Sequence, residues 1–187
     1  MIQKRGLTLI ELLVTMSLIG IILIVITSVY VTGFRTFKEE LASSTVQSNA
    51  QTILDAVILD AKNGMLIEPI YGAYTTGPNT IIIRVPATNE SKEILYNGSD
   101  MVYDRVIYYY LNNEIHKITY AASGSTRYKN DGKDSVLDKN ILAMSFEYDP
   151  DQSTATLVRV NLDSVIKVGN RDKKITISGE ARLRNHI

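Results

Sequence analysis

The sequence predicts an α+β chain in which one long N-terminal helix is followed by an antiparallel β-sheet, with the second half of the helix packed on that sheet. Three observations carry this. Residues 7–31 form an apolar run, mostly Leu, Ile and Val, with no proline and with Glu11 as its only charge. Apolar residues then recur at three- and four-residue steps as far as Ala61. From Thr80 onward the pattern changes to alternation interrupted by turn residues.

The apolar run, about 25 residues at about 1.5 Å each, is long enough to cross a hydrocarbon core of about 30 Å. It is longer than the apolar region of a secretory signal and lacks an Ala-x-Ala-like exit, so the segment is expected to survive processing. Lys4 and Arg5 precede it, which orients the N-terminus toward the cytoplasm and everything from about Thr32 outward. A carboxylate within such a span costs about 2.5–3.5 kcal/mol at the helix centre and less near an end, so Glu11 reads as functional.

Beyond the run, Phe34, Phe37, Leu41, Val46, Ala50, Ile53, Leu54, Val57, Ile58 and Ala61 form an amphipathic stripe. The stripe is wider than a heptad seam, and its polar face carries acids and amides instead of the Lys and Arg of a membrane-surface helix. Packing on the protein's own head therefore fits it better than a coiled coil or an interfacial helix. One helix is predicted over 7–62, with Gly33 marking a bend and Gly64 supplying a left-handed cap after Asn63. Pro69, Gly72, Gly77 and Pro78 make 68–79 a loop.

Strands follow. Ile81, Ile83 and Val85 alternate up to Pro86, which suits an edge strand, and 106–111 is apolar on both faces, which suits a central one. Asn112-Asn113 turns the chain into 115–120, making a hairpin. After a polar excursion over 123–134, Leu142, Met144, Phe146 and Tyr148 alternate. Val158, Val160, Leu162, Ile166 and Val168 then share one face, and Ile175, Ile177, Ala181 and Leu183 another, with a turn over 169–172. An antiparallel sheet of five or six strands is expected.

Lys4-Arg5-Gly6, a hydrophobic residue and then Thr8-Leu9-Ile10-Glu11-Leu12-Leu13 resemble the prepilin N-terminus of type IV pilins and of type II secretion pseudopilins. The resemblance implies that a prepilin peptidase cuts after Gly6 and methylates the new amine of Leu7, which stands where Phe is usual. It divides the chain into a leader (1–6), a transmembrane and assembly helix (7–31), an amphipathic helix (32–63), a connecting loop (64–79) and a β head (80–187). It implies other pilin or pseudopilin subunits and the cytoplasmic membrane as partners, with the head extracytoplasmic and the subunit later in a filament. The variable loop exposed on filaments would be 68–79. Residues 52–61 and the closing stretch Ala181-Arg182-Leu183-Arg184-Asn185 are similar to larger minor pilins and the J-type pseudopilin. The function implied is a structural minor or tip subunit; the alternatives are a major shaft subunit, and a DNA- or surface-binding adhesin at the tip of a competence pilus.

The spacing has a logic of its own. After cleavage the Leu7 amine, a cation, and the Glu11 carboxylate stand at i and i+4 on one helix face. One subunit's amine could meet another's Glu11 in an apolar core, and in an uncleaved chain Glu11 should be unpaired.

The remaining chemistry is thin. Twenty basic residues balance twenty acidic ones, and loss of Lys4 and Arg5 tips the balance acidic, so global charge gives no expectation of a nucleic-acid partner. There is no cysteine and hence no disulfide framework or thiolate metal site. His116 and His186 lie far apart in sequence and read as structural. Ser164-Val165-Ile166-Lys167 matches a Ser-x-x-Lys spacing but sits in a predicted strand without its companion motifs. The run 130–134 contains calcium-type ligands without a closing Glu and reads as a polar turn. Arg171, Lys173, Lys174, Arg182 and Arg184 could touch phosphates, yet in strands they would form the polar face opposite Ile175 and Ile177. Tyr108, Tyr109 and Tyr110 read as sheet packing. No catalytic set, metal or cofactor is expected, and the chain is read as a substrate of the peptidase and not an enzyme.

Overall fold

The computed structural model describes residues 8–139, 141–152, 154–168 and 171–184, with side chains for all of these except 166–168 and 171. In order come α1 (Leu9–Asn63), β1 (Leu66–Ile67), β2 (Ile70–Tyr71), β3 (Tyr74–Thr75), β4 (Thr80–Pro86), β5 (Tyr96–Asn97), β6 (Asp100–Met101), β7 (Tyr103–Leu111) and β8 (Glu114–Tyr120). A 3-10 turn (Thr126–Asn130) leads to β9 (Asp134–Asp138), β10 (Ile141–Asp149), β11 (Leu157–Val168) and β12 (Arg171–Arg182). The chain divides into two compact units, Met1–Ser43 and Ser44–Ile187.

The described part of the first unit is helix from Leu9 onward, and its large apolar side chains face outward, Leu9 being 81% and Ile24 71% exposed. The second unit is an α+β head. Its helical portion turns Ala50, Ile53, Leu54, Val57 and Ala61 inward at three- and four-residue steps, as the stripe predicts. Burial begins at Ala50; Phe34, Phe37 and Leu41 stay exposed.

Where a single sheet is expected, the strands form two larger antiparallel sheets, one ordered β1-β4-β7-β8-β9 and one ordered β10-β11-β12, and two two-stranded ribbons, β2–β3 and β5–β6. Both larger sheets contribute to the cluster that receives the helix: Ile81 and Ile83 of β4, Val106 and Tyr108 of β7, Met144 and Phe146 of β10, and Val158, Val160 and Leu162 of β11. Gly179 of β12 allows a close approach, since a Cβ there would lie 2.5 Å from Ile58 Cδ1 and 3.2 Å from Leu54 Cδ2. Tyr108 is fully buried and its hydroxyl donates to Asp60 Oδ2 on the helix at 2.7 Å, with Lys117 Nζ donating to the same oxygen at 2.8 Å.

As expected, β7 is central and joins β8 through Asn112 and Asn113, whose positive φ angles of 53° and 64° give the turn the twist that a tight hairpin needs. Four local expectations are corrected. Strand β4 is flanked by β1 and β7 and is not an edge; Pro86 is tolerated because it is the last residue. Gly64 has no positive φ; it is small because a Cβ would sit 2.5 Å from Ile83 Cγ2, so it serves close packing. The stretch 68–79 holds the ribbon β2–β3, turned by Gly72 at φ +59°. In β10 a bulge between Ile141 and Ala143 turns Leu142 outward and puts Ile141 in the core in its place.

The polar excursion over 123–134 is organised by a buried carboxylate. Asp104 accepts from Ala122 N–H at 2.9 Å, Ser125 Oγ at 2.6 Å and Arg127 Nη1 at 3.0 Å, so burial of the charge is offset by three donors.

Candidate functional site at the head of the membrane helix

Helix α1 begins at Leu9, which makes Thr8 its N-cap. The Glu11 carboxylate accepts from Thr8 N–H at 3.0 Å and from Thr8 Oγ1 at 2.9 Å, while Glu11 N–H lies 3.3 Å from Thr8 Oγ1. This is a reciprocal capping box, and it places the acid where the helix dipole favours negative charge. Among the described residues Glu11 has no cationic partner; its own first turn supplies neutral donors from Thr8, which charge pairing alone leaves out. The signal was legible as Thr8-x-x-Glu11 before an apolar run. Gly6 and Leu7, the expected cleavage and methylation positions, lie outside the described residues, as do Lys4 and Arg5.

The helix behind the box suits a solvent without hydrogen-bonding partners. Its most apolar stretch of 18 residues has a mean hydropathy of 2.8, with none of it buried inside the protein. Three of the hydroxyls along it turn back on their own helix. Thr15 Oγ1 donates to Glu11 O at 2.9 Å, Ser17 Oγ to Leu13 O at 2.8 Å and Thr27 Oγ1 to Leu23 O at 2.8 Å. Each therefore enters the segment already satisfied. Where charges resume, Tyr30 stacks on Phe34 at 6.2 Å and Lys38 Nζ sits 4.6 Å over the Phe34 ring, an aromatic and basic collar of the type found at a bilayer surface.

The other candidates do not converge. His116 stacks on Tyr109 at 4.6 Å and its Nδ1 lies 3.1 Å from both Asp134 oxygens, which ties β8 to β9; His186 lies outside the described residues. Asp131 accepts from Ala121 N–H at 2.8 Å, whereas Asp134 accepts from Tyr109 Oη at 2.7 Å, so the two carboxylates of the 130–134 run serve different partners. Among the described residues no cluster of three metal-type ligands occurs. Ser164 is buried in strand β11, and the Lys167 side chain lies outside the described residues. Of the basic cluster, Lys174 is paired with Asp163 at 2.8 Å. Lys173 shares the strand parity of Ile175 and so does not join a polar face opposite it, because β12 runs without a break through these positions.

A helix long and apolar enough to cross a membrane, with one capped acid at its start and followed by an α+β head, has a pilin-like build. Residues 1–27 match the family described as the prokaryotic N-terminal methylation motif, the signature of type IV pilins and pseudopilins. The motif supports a type IV pilin-like or pseudopilin structural subunit, processed by prepilin peptidase and anchored in the membrane by its N-terminal helix. The chain finds no significant match among curated proteins or solved structures.

Proposed function

We propose that the chain is a minor or tip subunit of a type IV pilus or pseudopilus, cleaved after Gly6, methylated on the Leu7 amine, and held in register by pairing between that amine on one subunit and Glu11 on another. The observation that carries this reading is the capping box at the head of an otherwise uncharged, outward-facing apolar helix. Magnitudes separate two stages. In the free subunit the cap stabilises the helix start by about 0.5–2 kcal/mol and gives the carboxylate donors. In an assembled apolar core a carboxylate without a counter-charge costs about 3–5 kcal/mol, more than a cap supplies. The cap makes the free subunit tolerable in the membrane, and the neighbour's ammonium decides whether it assembles.

Glu11→Gln and Thr8→Ala test this together. Glutamine retains an acceptor for Thr8 but not the charge, so Glu11→Gln should leave the protein in the membrane and lower its incorporation into filaments by at least 100-fold. Thr8→Ala should lower it by about tenfold at most. Quantitative immunoblotting of sheared filaments against membranes reads both; incorporation of Glu11→Gln at the wild-type level would refute the pairing.

A further inference from the structure

The outward face of the five-stranded sheet carries a second site. Along β7, Val106 and Tyr108 point to the helix and join the core, so Tyr103, Arg105 and Tyr109 lie on the opposite side. There the ribbons β2–β3 and β5–β6 and the end of β8 line an open cleft of about 520 Å³. Its walls are Tyr71, Tyr103, Tyr120, Arg105, Asp100 and Asp131.

The lining is held in place by the protein's own contacts. Tyr71 and Tyr120 tilt against each other at 5.1 Å, and the Arg105 guanidinium lies 4.4 Å over Tyr71. Arg105 Nε also donates to Glu68 Oε2 at 2.8 Å, while Arg84 donates to Glu68 Oε1 at 2.6 Å and lies 4.9 Å over Tyr103. Such rings need no ordering when a ligand arrives. The phenol oxygens of Tyr71, Tyr103 and Tyr120 and the exposed Asp100 carboxylate, by contrast, have no hydrogen-bond partner among the described residues.

The chemistry of this lining selects a class. The volume lies in the range of small-ligand sites, about 300–1,000 Å³. A cationic ligand would meet rings already covered by Arg84 and Arg105. An anionic one would meet Asp100 and Asp131. A neutral polyhydroxyl ligand meets neither obstacle: its hydroxyls donate to the carboxylates and accept from guanidinium and phenol, and its C–H faces lie on the tyrosine rings. We propose that this cleft is a binding site for neutral saccharides.

The test uses the full chain in phosphatidylcholine nanodiscs free of sugar-based detergent, titrated by calorimetry with chitotriose, maltotriose and cellotriose. Saturable binding of at least one, with Kd below about 1 mM, is expected. Tyr71→Ala removes a stacking ring and Asp100→Ala removes an acceptor from an exposed ribbon. Each should weaken binding at least tenfold, with the near-ultraviolet dichroism of the Asp100→Ala protein unchanged. Absence of saturation by all three sugars, undiminished binding in the Asp100→Ala protein, or binding of spermine or heparin in their place would overturn the proposal.

Discussion

Between Thr8 and Ser43 every large apolar side chain faces outward, and the threonine hydroxyls bond within one turn of the same helix. From Ser44 onward the reverse holds. Leu54 and Val57 are buried, and the head's polar groups find partners far away in sequence: Asp60 takes donors from Tyr108 and Lys117, and Glu68 takes them from Arg84 and Arg105. One continuous helix thus obeys two solvents. Where lipid surrounds it, an apolar surface costs nothing and an unmet hydroxyl is expensive, so Thr and Ser bond to the preceding turn. Where water surrounds the fold, burial of apolar area drives packing and long-range polar pairs set its geometry. The lesson is that residues of one type have different meanings on either side of about residue 44.

The sharpest contrast is Leu54→Ala against Leu23→Ala. Leu54 is 1% exposed and faces Gly179, so its truncation leaves a cavity and should destabilise the head by about 2–5 kcal/mol. Leu23 is 57% exposed, and its truncation should change head unfolding by no more than about 0.5 kcal/mol. Thermal melts of the full chain in nanodiscs, followed by near-ultraviolet dichroism, read both. Equal effects would dissolve the division.

The polar half of the contrast is Asp60→Ala against Thr27→Val. Burial, reinforced by the charge of Asp60, pushes the Tyr108 phenol far above its ordinary range, so this hydroxyl remains a neutral donor at every working pH. Removing Asp60 strands that buried donor and one hydrogen bond of Lys117, and should cost about 1–3 kcal/mol. Thr27→Val removes a hydroxyl that only bonded back to Leu23 and should leave the same melt unchanged. An Asp60→Ala protein that melts like wild type would show that the helix and sheet are joined by apolar contact alone.

Much of this was legible in the residues. The switch from a continuous apolar run to a stripe at three- and four-residue steps gave the helix and its two environments, and Asn112-Asn113 gave the hairpin. The capping box was written in Thr8 and Glu11 but is overshadowed when the acid is read only as a misplaced charge. Other features had no local signal. Division into two sheets depends on pairing between distant strands. The bulge at Leu142 is a single extra residue that shifts the inward set by one. Gly64 shows why composition alone misleads: a glycine required by crowding and one required by a left-handed turn are the same letter. The tyrosine cleft was illegible for a similar reason, because Tyr71, Tyr103 and Tyr120 come from three separate strands.

Ser164 is the exception among the buried side-chain polar atoms of the described residues of the head. It continues the inward face of Val158, Val160 and Leu162 on β11 and is fully buried, yet its hydroxyl has no partner among the described residues. A buried hydroxyl without a partner costs about 1–3 kcal/mol relative to one that is satisfied, while serine and alanine differ little in volume. Ser164→Ala should therefore stabilise the head by about 1 kcal/mol, raising the melting temperature by about 2–4 °C for a chain of this size. The same substitution at Ser17, whose hydroxyl is bonded to Leu13 O, should have no effect on that melt. A fall in melting temperature for Ser164→Ala would mean that the hydroxyl is held by a donor or acceptor, and Ser164 would then join the satisfied polar groups of the head's interior.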